Sequence, residues 1–177
     1  MKNYLVLLFA LTFYTAFGQD NFVNKKLYKI NLLAPSIESE LGLTNKTTLD
    51  FKLGTGLSIN GGTGRETDWS FFPFAEVQYR YFYNLEKRAA KNKRTANNSG
   101  NYLALSTSIE SGKSMIGNAN YAEKYFAGIG PIWGMQRSYK SGFSLNLSGG
   151  LGLGFSDLSS AEFMTTINFS LGWVIGK

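Results

Sequence analysis

Two absences restrict the side chains that could carry out catalysis, because the sequence contains neither histidine nor cysteine. A Ser-His-Asp triad, a thiol nucleophile and a metal site built on His or Cys ligands all need one of these residues. A Ser-Lys pair or a pair of carboxylates would be chemically adequate, but no spacing in the sequence selects such a pair. We therefore predict no catalytic residues, no metal and no cofactor, and we do not expect an enzyme.

Two glycine-rich stretches, GTG at Gly54–Gly56 and GLGLG at Gly150–Gly154, have the composition of phosphate-binding loops. A phosphate-binding loop leads into a helix, whose first backbone N–H groups hold the anion. Here the glycines recur at every second position, which is the spacing of one face of a β-strand. We interpret them as small residues on one face of a strand that leave room for larger residues opposite.

The stretch Phe143–Ser156 shows the strand pattern most clearly, since hydrophobic residues alternate with small or polar ones over FSLNLSGGLGLGFS. Strands in soluble proteins are usually about 5–6 residues long, whereas a tilted strand needs about 9–11 residues to cross a bilayer. The length therefore favours a membrane-spanning strand over a strand of a soluble sandwich.

The same alternation predicts seven further strands. After Pro35 the hydrophobic residues move from even to odd positions, which requires either a bulge or a turn there. Pro73 predicts a bulge or a weakened pairing in its own strand. The predicted strands are Leu27–Ala34, Ser36–Gly42, Thr47–Asn60, Trp69–Tyr83, Tyr102–Ser111, Tyr121–Arg137, Phe143–Ser156 and Phe163–Ile175.

The connections between these strands alternate in length, as in an up-and-down barrel with short periplasmic turns and longer outer loops. Aromatic residues fall at both ends of the outward faces, where amphipathic rings prefer the headgroup level. We predict an all-β, antiparallel, up-and-down transmembrane β-barrel of about eight strands over residues 27–177. The predicted turns are 44–46 and 139–142, the predicted loops are 61–68, 112–120 and 157–162, and the longest break is Asn84–Gly100, with a helical turn within Leu85–Lys91.

Charged residues on the predicted inner face are nearly balanced in sign. An eight-stranded barrel has an interior that side chains can fill, and unpaired charges there are costly. We interpret the set as a salt-bridge network that plugs the lumen, with a narrow ion path or a ligand pocket as the alternative. Its members are Glu38, Glu40, Asp50, Lys52, Glu76, Arg80, Glu110 and Lys124, with Lys29 from the first segment, and we expect Arg80 to pair with Asp50 and Glu110.

The first residues have the composition of an export signal. Lys2 precedes the hydrophobic run Tyr4–Tyr14, and Ala16-Phe17-Gly18 is a small-x-small cleavage site. Eleven residues are too few for a membrane-spanning helix, which needs about 20. We predict a signal peptide at residues 1–18, a mobile lead at 19–26 and a location in the cell outer membrane.

A second group of charges has a single sign. The net charge is +6, and much of the excess lies in the cluster Lys87, Arg88, Lys91, Lys93 and Arg94 of the longest break. This basic cluster is either a solvated turn or a contact with anionic periplasmic polymer or phosphate headgroups, since clustered cations concentrate anions locally. We expect no nucleic acid partner for an exported chain, and we expect a monomer.

Three segments carry a family resemblance: KINLLAPSIESELGLTNKTTL (Lys29–Leu49), YRYFYNLEKRAAKNKRTANNSGNYLAL (Tyr79–Leu105) and INFSLGWVIGK (Ile167–Lys177). They resemble small outer-membrane β-barrel proteins of the porin-like, OmpA/OmpX-sized class. The resemblance implies an eight-stranded barrel in a Gram-negative outer membrane. Two functions remain open at this point, a structural or narrow-pore barrel with a charged lumen and a surface-binding barrel whose outer loops recognise a partner or ligand.

Overall fold

The computed structural model describes residues 23–62 and 65–177. Eight antiparallel strands follow one another around a closed barrel, in which the last strand pairs with the first. The predicted all-β, up-and-down barrel of eight strands is confirmed. The strands are β1 (Lys26–Asn31), β2 (Ser36–Gly42), β3 (Thr47–Gly62), β4 (Arg65–Phe82), β5 (Asn101–Lys113), β6 (Asn120–Ser138), β7 (Phe143–Ser156) and β8 (Glu162–Gly176), and a short helix, α1 (Leu85–Ala89), lies between β4 and β5.

Some predictions fall on residues outside this description. The predicted signal peptide, residues 1–18, and residues 19–22 of the predicted lead lie outside the described residues. Within the described part of the chain, no helix is long and apolar enough to cross a membrane.

The reversal of the hydrophobic pattern at Pro35 marks a turn between two strands. β1 and β2 pair from Lys26 opposite Leu41 to Asn31 opposite Ser36, and residues 32–35 connect them. Because the chain reverses direction there, the outward side chains change from even to odd numbers. The segment Leu27–Gly42 is therefore two strands.

Two predicted loops are shorter than expected. β3 and β4 continue through most of the predicted loop 61–68, and Asn60 lies opposite Asp68 with a register shift just beyond it. β5 and β6 likewise extend to Lys113 and Asn120, which lie opposite each other. Backbone pairing persists in these polar stretches because it satisfies the N–H and C=O groups, whatever the side chains are.

Pro73 lies within β4 without a bulge. It is opposite Thr55 in an unshifted register with β3, whereas pairing with β5 begins one residue later, at Phe74. A proline has no N–H to donate to a second neighbour. Of the two predicted consequences, the weakened pairing is confirmed and the bulge is wrong.

The barrel is polar inside and hydrophobic outside. Polar and charged side chains outnumber hydrophobic ones among its buried residues. Large hydrophobic side chains are exposed on each of the eight strands, among them Leu53, Leu105, Leu151 and Ile167. The predicted face assignment is therefore confirmed in the described residues.

The two ends of the barrel are closed to different extents. We call the end with connections 43–46, 83–100 and 139–142 the base, and the end with connections 114–119 and 157–161 the rim. β1 and β2 are only 6 and 7 residues long, against 16 for β3 and 15 for β8. The β1–β2 turn is thus level with Gly54 in the middle of β3 and with Leu171 in β8. Above that turn six strands, β3 to β8, surround the lumen.

Candidate functional site

The lower half of the lumen contains a buried ionic cluster, which we call the base network. Three cations and four carboxylates belong to it, each less than a tenth exposed. Every member was predicted from the alternation of the strands. The members are Lys29, Glu38, Glu40, Asp50, Lys52, Glu76 and Arg80.

Arg80 lies at the centre of the base network and is fully buried. Its Nη2 lies 2.8 Å from Oδ2 of Asp50, and its Nη1 lies 3.3 Å from Oε1 of Glu38. Its Nε donates a hydrogen bond of 2.7 Å to Gln78, and the guanidinium carbon stands 4.9 Å from the centre of the Tyr102 ring. The distance between Nη2 of Arg80 and Oδ2 of Asp50 confirms the predicted pairing of these two residues.

The contact between Arg80 and Asp50 is an ion pair without a well-directed hydrogen bond. Although Nη2 and Oδ2 are close, neither atom has a hydrogen-bond partner of acceptable geometry among the described residues, and Oδ1 of Asp50 has none either. Charge therefore contributes more to this contact than hydrogen-bond geometry does.

Lys29 reaches the same cluster from β1. Its ammonium group donates hydrogen bonds to Glu38 at 2.7 Å, to Glu40 at 2.9 Å and to Gln136 at 2.9 Å. All three ammonium hydrogens are thereby used. Oxygens of Glu38, Glu40 and Asp50 lie within 4.8 Å of one another, a spacing that could hold a metal ion. Lys29 and Arg80 already contact these carboxylates and offset two of their three charges.

Gln136 is a further member of the site, which the pattern of charged residues does not reveal because its side chain is neutral. Its Nε2 donates to Glu40 at 3.1 Å and to the backbone oxygen of Asn97 at 3.1 Å, while its Oε1 accepts from Lys29 and Arg80. Alternation places this residue in the lumen, but only the closed ring brings β6 across to β1.

Tyr102 of β5 and Asn146 of β7 extend the base network to the opposite side of the barrel. The Tyr102 hydroxyl donates a hydrogen bond of 3.0 Å to Oδ1 of Asn146, whose Nδ2 donates to Oε1 of Gln136 at 3.4 Å. The even numbering of Tyr102 within β5 is the sequence signal that could have placed it in the lumen.

Two predicted members lie outside the base network. Lys124 is exposed near the rim, where its backbone N–H donates to Asp157 at 2.8 Å. Glu110 lies opposite Phe74 rather than beside Arg80, which is opposite Ala104. The predicted pairing of Arg80 with Glu110 is therefore wrong, because six residues of β4 and β5 separate the two levels.

The base of the lumen is closed by residues 23–24 and 97–99, which we call the base plug. Asn24 donates its backbone N–H to Oδ1 of Asn98 at 2.7 Å and accepts from the backbone of Asn97 at 3.1 Å. Val23 is buried with Phe82 in a small hydrophobic cluster. Val23 and Asn24 thus contact the base of the barrel, Lys25 and Lys26 are exposed, and residues 97–99 are buried inside the base.

The upper half of the lumen contains a cavity of about 400 Å³, lined by both polar and hydrophobic residues, which we call the rim cavity. Lys52 and Glu76, two members of the base network, line its lower end, with 3.6 Å between Lys52 Nζ and Glu76 Oε2. Glu110 lines it higher up, half-buried and without a hydrogen bond or ion pair to any described residue. Its carboxylate lies beside Gly56, where an added side chain would collide with it.

Most of the basic cluster surrounds a groove on the outer surface of the base. Lys87, Arg88, Lys91 and Lys93 line it together with Arg137, and no acidic side chain among the described residues lines it. Arg137 donates to Gly100 O at 2.9 Å, to Gln136 O at 2.7 Å and to Asn101 Oδ1 at 2.7 Å. We call this the basic groove.

Two further charged residues of the connection 83–100, Arg94 and Glu86, contact neighbouring parts of the base. Arg94, the fifth member of the cluster, turns away from the groove and donates to the backbone oxygen of Ser138 at 2.7 Å. Lys46 forms an ion pair of 2.9 Å with Glu86, and the hydrogen bond to that carboxylate raises the pKa of Lys46. These contacts attach α1 and the segment after it to neighbouring turns of the base.

Comparison with protein-family models, with curated proteins and with solved structures found no match to this chain.

Proposed function

We propose that this protein is a non-catalytic outer-membrane β-barrel with a structural role, whose lumen is sealed by the base network and the base plug. The observation that supports this proposal is the exposed hydrophobic belt, since each strand presents large hydrophobic side chains outward around a polar interior. In water such a belt would be unfavourable, whereas in lipid it is satisfied. The segments that resemble small outer-membrane barrels agree with this location.

The aromatic residues suggest how the barrel would lie in the membrane. Tyr81, Tyr83, Trp133 and Trp173 are exposed at the base end of their strands, and Trp69 is exposed towards the rim. Aromatic rings prefer the two headgroup levels. Two of the three base connections, 43–46 and 139–142, are short turns of the kind found on the periplasmic side of such barrels. We therefore place the base in the periplasm, with 83–100 as its one long connection, and the rim outside.

Leu147→Arg tests the membrane location. Leu147 is exposed on β7 between Met135 of β6 and Phe169 of β8. An arginine on the lipid face costs about 2–4 kcal/mol near the midplane and less towards the headgroup level, so the free energy of unfolding in vesicles should fall by up to that amount. Ser148→Thr, on the buried inner face, is the control and should have little effect. A Leu147→Arg variant as stable as the wild type would contradict the assignment of this face to lipid.

Conductance separates a sealed barrel from a narrow pore. The base network fills the lower lumen and the base plug covers its end, so we expect no ion current through the wild-type protein in a planar bilayer. A stable, cation-selective current in the wild type would favour the narrow-pore alternative.

The basic groove supports a contact with anionic phosphate headgroups rather than with a soluble periplasmic polymer. The groove includes Tyr83, an aromatic of the base girdle, whose hydroxyl accepts a hydrogen bond of 2.8 Å from Trp133. Arg137 continues the outward, lipid-facing side of β6. The groove thus opens at the level where lipid phosphates lie.

Arg137→Gln tests this contact in vesicles with and without phosphatidylglycerol. Each cation near an anionic surface contributes about 1 kcal/mol at low salt, so the variant should lose that much of the preference for the anionic vesicles. Lys140→Gln, in the exposed turn after β6, is the matched control. Equal losses for the two variants would indicate a general charge effect instead of a built groove.

A second candidate function is the binding barrel. The outer connections are short in the described residues, but the rim cavity contains Glu110, which has no partner among the described residues, and this favours binding inside the rim over recognition by the loops.

A further inference from the structure

The wall of the barrel is incomplete on one side above the β1–β2 turn. On β3, pairing with β2 ends at Gly54 opposite Ser36; on β8, pairing with β1 ends at Gly172 opposite Asn31. Just above these levels the β1–β2 turn still bonds to both strands, from Thr55 N–H to Pro35 O at 3.0 Å and from Leu32 N–H to Leu171 O at 2.8 Å. Beyond these two bonds, β3 pairs only with β4 and β8 only with β7 among the described residues. We call this opening, between residues 55–62 of β3 and 162–170 of β8, the wall gap.

The wall gap begins inside the hydrophobic belt. Ile59 of β3 lies opposite Trp69, the aromatic residue that marks the outer headgroup level. Residues 55–59 of β3 therefore lie below that level, next to the outer half of the bilayer. Unpaired strand edges are costly in hydrocarbon because backbone N–H and C=O groups find no partner there. The ester carbonyls of a lipid in the gap would accept hydrogen bonds from some of these N–H groups and reduce that cost.

The rim cavity reaches the wall gap. Its lining includes Thr55 and Leu57 on one side of the gap, Ile167 and Asn168 on the other, and Leu33 from the β1–β2 turn below. Leu33, Leu57 and Ile167 are exposed hydrophobic residues of the belt. A molecule in the cavity could therefore have a polar part inside the lumen and a hydrophobic part in the bilayer.

The charges in the cavity indicate which polar head would fit. Lys52 has an ion pair of 3.6 Å with Glu76 but no hydrogen bond to a described residue, so its ammonium hydrogens are free to donate to a phosphate. Glu110 has no described partner and could accept from an ammonium. With Glu76 counted, the three groups carry one excess negative charge when ionised, which disfavours a purely anionic head.

We propose that the rim cavity binds the head of a phospholipid that carries a primary ammonium beside its phosphate, entering from the outer half of the bilayer through the wall gap. The phosphate lies towards Lys52 and the ammonium towards Glu110, while the acyl chains pass between β3 and β8 into the belt. This inference rests on the proposed membrane location.

The test is native mass spectrometry of the full mature chain released from micelles that contain equal amounts of phosphatidylethanolamine, phosphatidylcholine and phosphatidylglycerol. We expect one retained phosphatidylethanolamine per barrel, with about a tenfold preference over phosphatidylcholine, whose quaternary ammonium cannot donate a hydrogen bond. Glu110→Gln should reduce that preference about tenfold. Glu86→Gln, the same change at an exposed carboxylate of the base, should leave it unchanged.

Several outcomes would overturn the inference. Equal retention of phosphatidylethanolamine and phosphatidylcholine by the wild type, or an unchanged preference in Glu110→Gln, would exclude this head-binding mode. A dimer without retained lipid would indicate that the strand edges pair with a second copy of the chain. Insertion of the wild type into phosphatidylcholine vesicles, measured by protease protection, separates the two proposals, because failure there contradicts the membrane location itself.

Discussion

The base and rim halves of the lumen share strands β3 to β8, but their inward carboxylates differ in whether they have partners. Glu40, in the base half, is fully buried and accepts hydrogen bonds from Lys29, Thr48 and Gln136. Glu110, in the rim half, faces a cavity and has no described partner. Both are glutamates on the inner face of an antiparallel strand, so residue type and alternation do not account for the difference.

The number of strands around each half accounts for it. Eight strands enclose the base half, and the base plug covers its end, so charges from β1, β2, β3 and β4 meet at short distances. Six strands surround the rim half, which leaves a wider space and an open side. Burial of a charge is tolerated where partners converge on it, and convergence here follows from closure of the wall.

The largest expected effect is that of Arg80→Ala in the base half. The change leaves Asp50 without its cation and removes one from Glu38 in a narrow interior, so we expect a loss of about 3–5 kcal/mol in the free energy of unfolding. Arg80→Lys should recover part of the lost stability. A lysine restores the positive charge but not the planar guanidinium, which contacts several partners at once. Urea titration in vesicles, followed by tryptophan fluorescence, measures both.

The conductance of the Arg80→Ala protein tests whether the base half is dry or open to water. If water entered the base half freely, it would screen the orphaned carboxylates and the loss of stability would be small. A stable variant with a cation-selective current would therefore contradict the proposal that the base half is sealed while the rim half is open.

An intermediate effect is expected from Gln136→Leu, with Asn168→Leu as its counterpart in the rim half. Gln136 bonds to Lys29, Glu40 and the base plug, so its loss should cost about 1–3 kcal/mol by leaving buried polar groups unsatisfied. Asn168 lines the rim cavity, where water can replace its amide, and its change should cost much less. Similar losses in the two variants, measured by the same urea titration, would show that the halves do not differ in hydration.

The smallest expected effect on stability is that of Glu110→Gln. Because Glu110 has no described partner and is only half-buried, its neutralisation should change the free energy of unfolding by less than about 0.5 kcal/mol. Thermal unfolding in detergent is sufficient to measure it. A large destabilisation would reveal a structural partner and would weaken the case for a ligand-binding role of this carboxylate.

The sequence by itself determined where the strands lie and which side chains of each strand face inward. Alternation of hydrophobic and polar residues, as in Phe143–Ser156, depends on the two-residue period of a strand and needs no knowledge of neighbouring strands. It therefore predicted the eight strands, the inner face and all seven members of the base network. The change of parity at Pro35 also lay in the sequence, although choosing between a bulge and a turn required the partner strand.

Only the tertiary structure decided which inner residues meet. Glu110 and Lys124 obey the same alternation as Asp50 and Glu76, but their levels along the barrel axis place them at the rim. The contact of Gln136 with Lys29 crosses from β6 to β1, and the packing of Val23 and Asn98 into the base joins segments far apart in the chain. Such contacts depend on register and closure, which arise from pairing between strands and are absent from the pattern of any one of them.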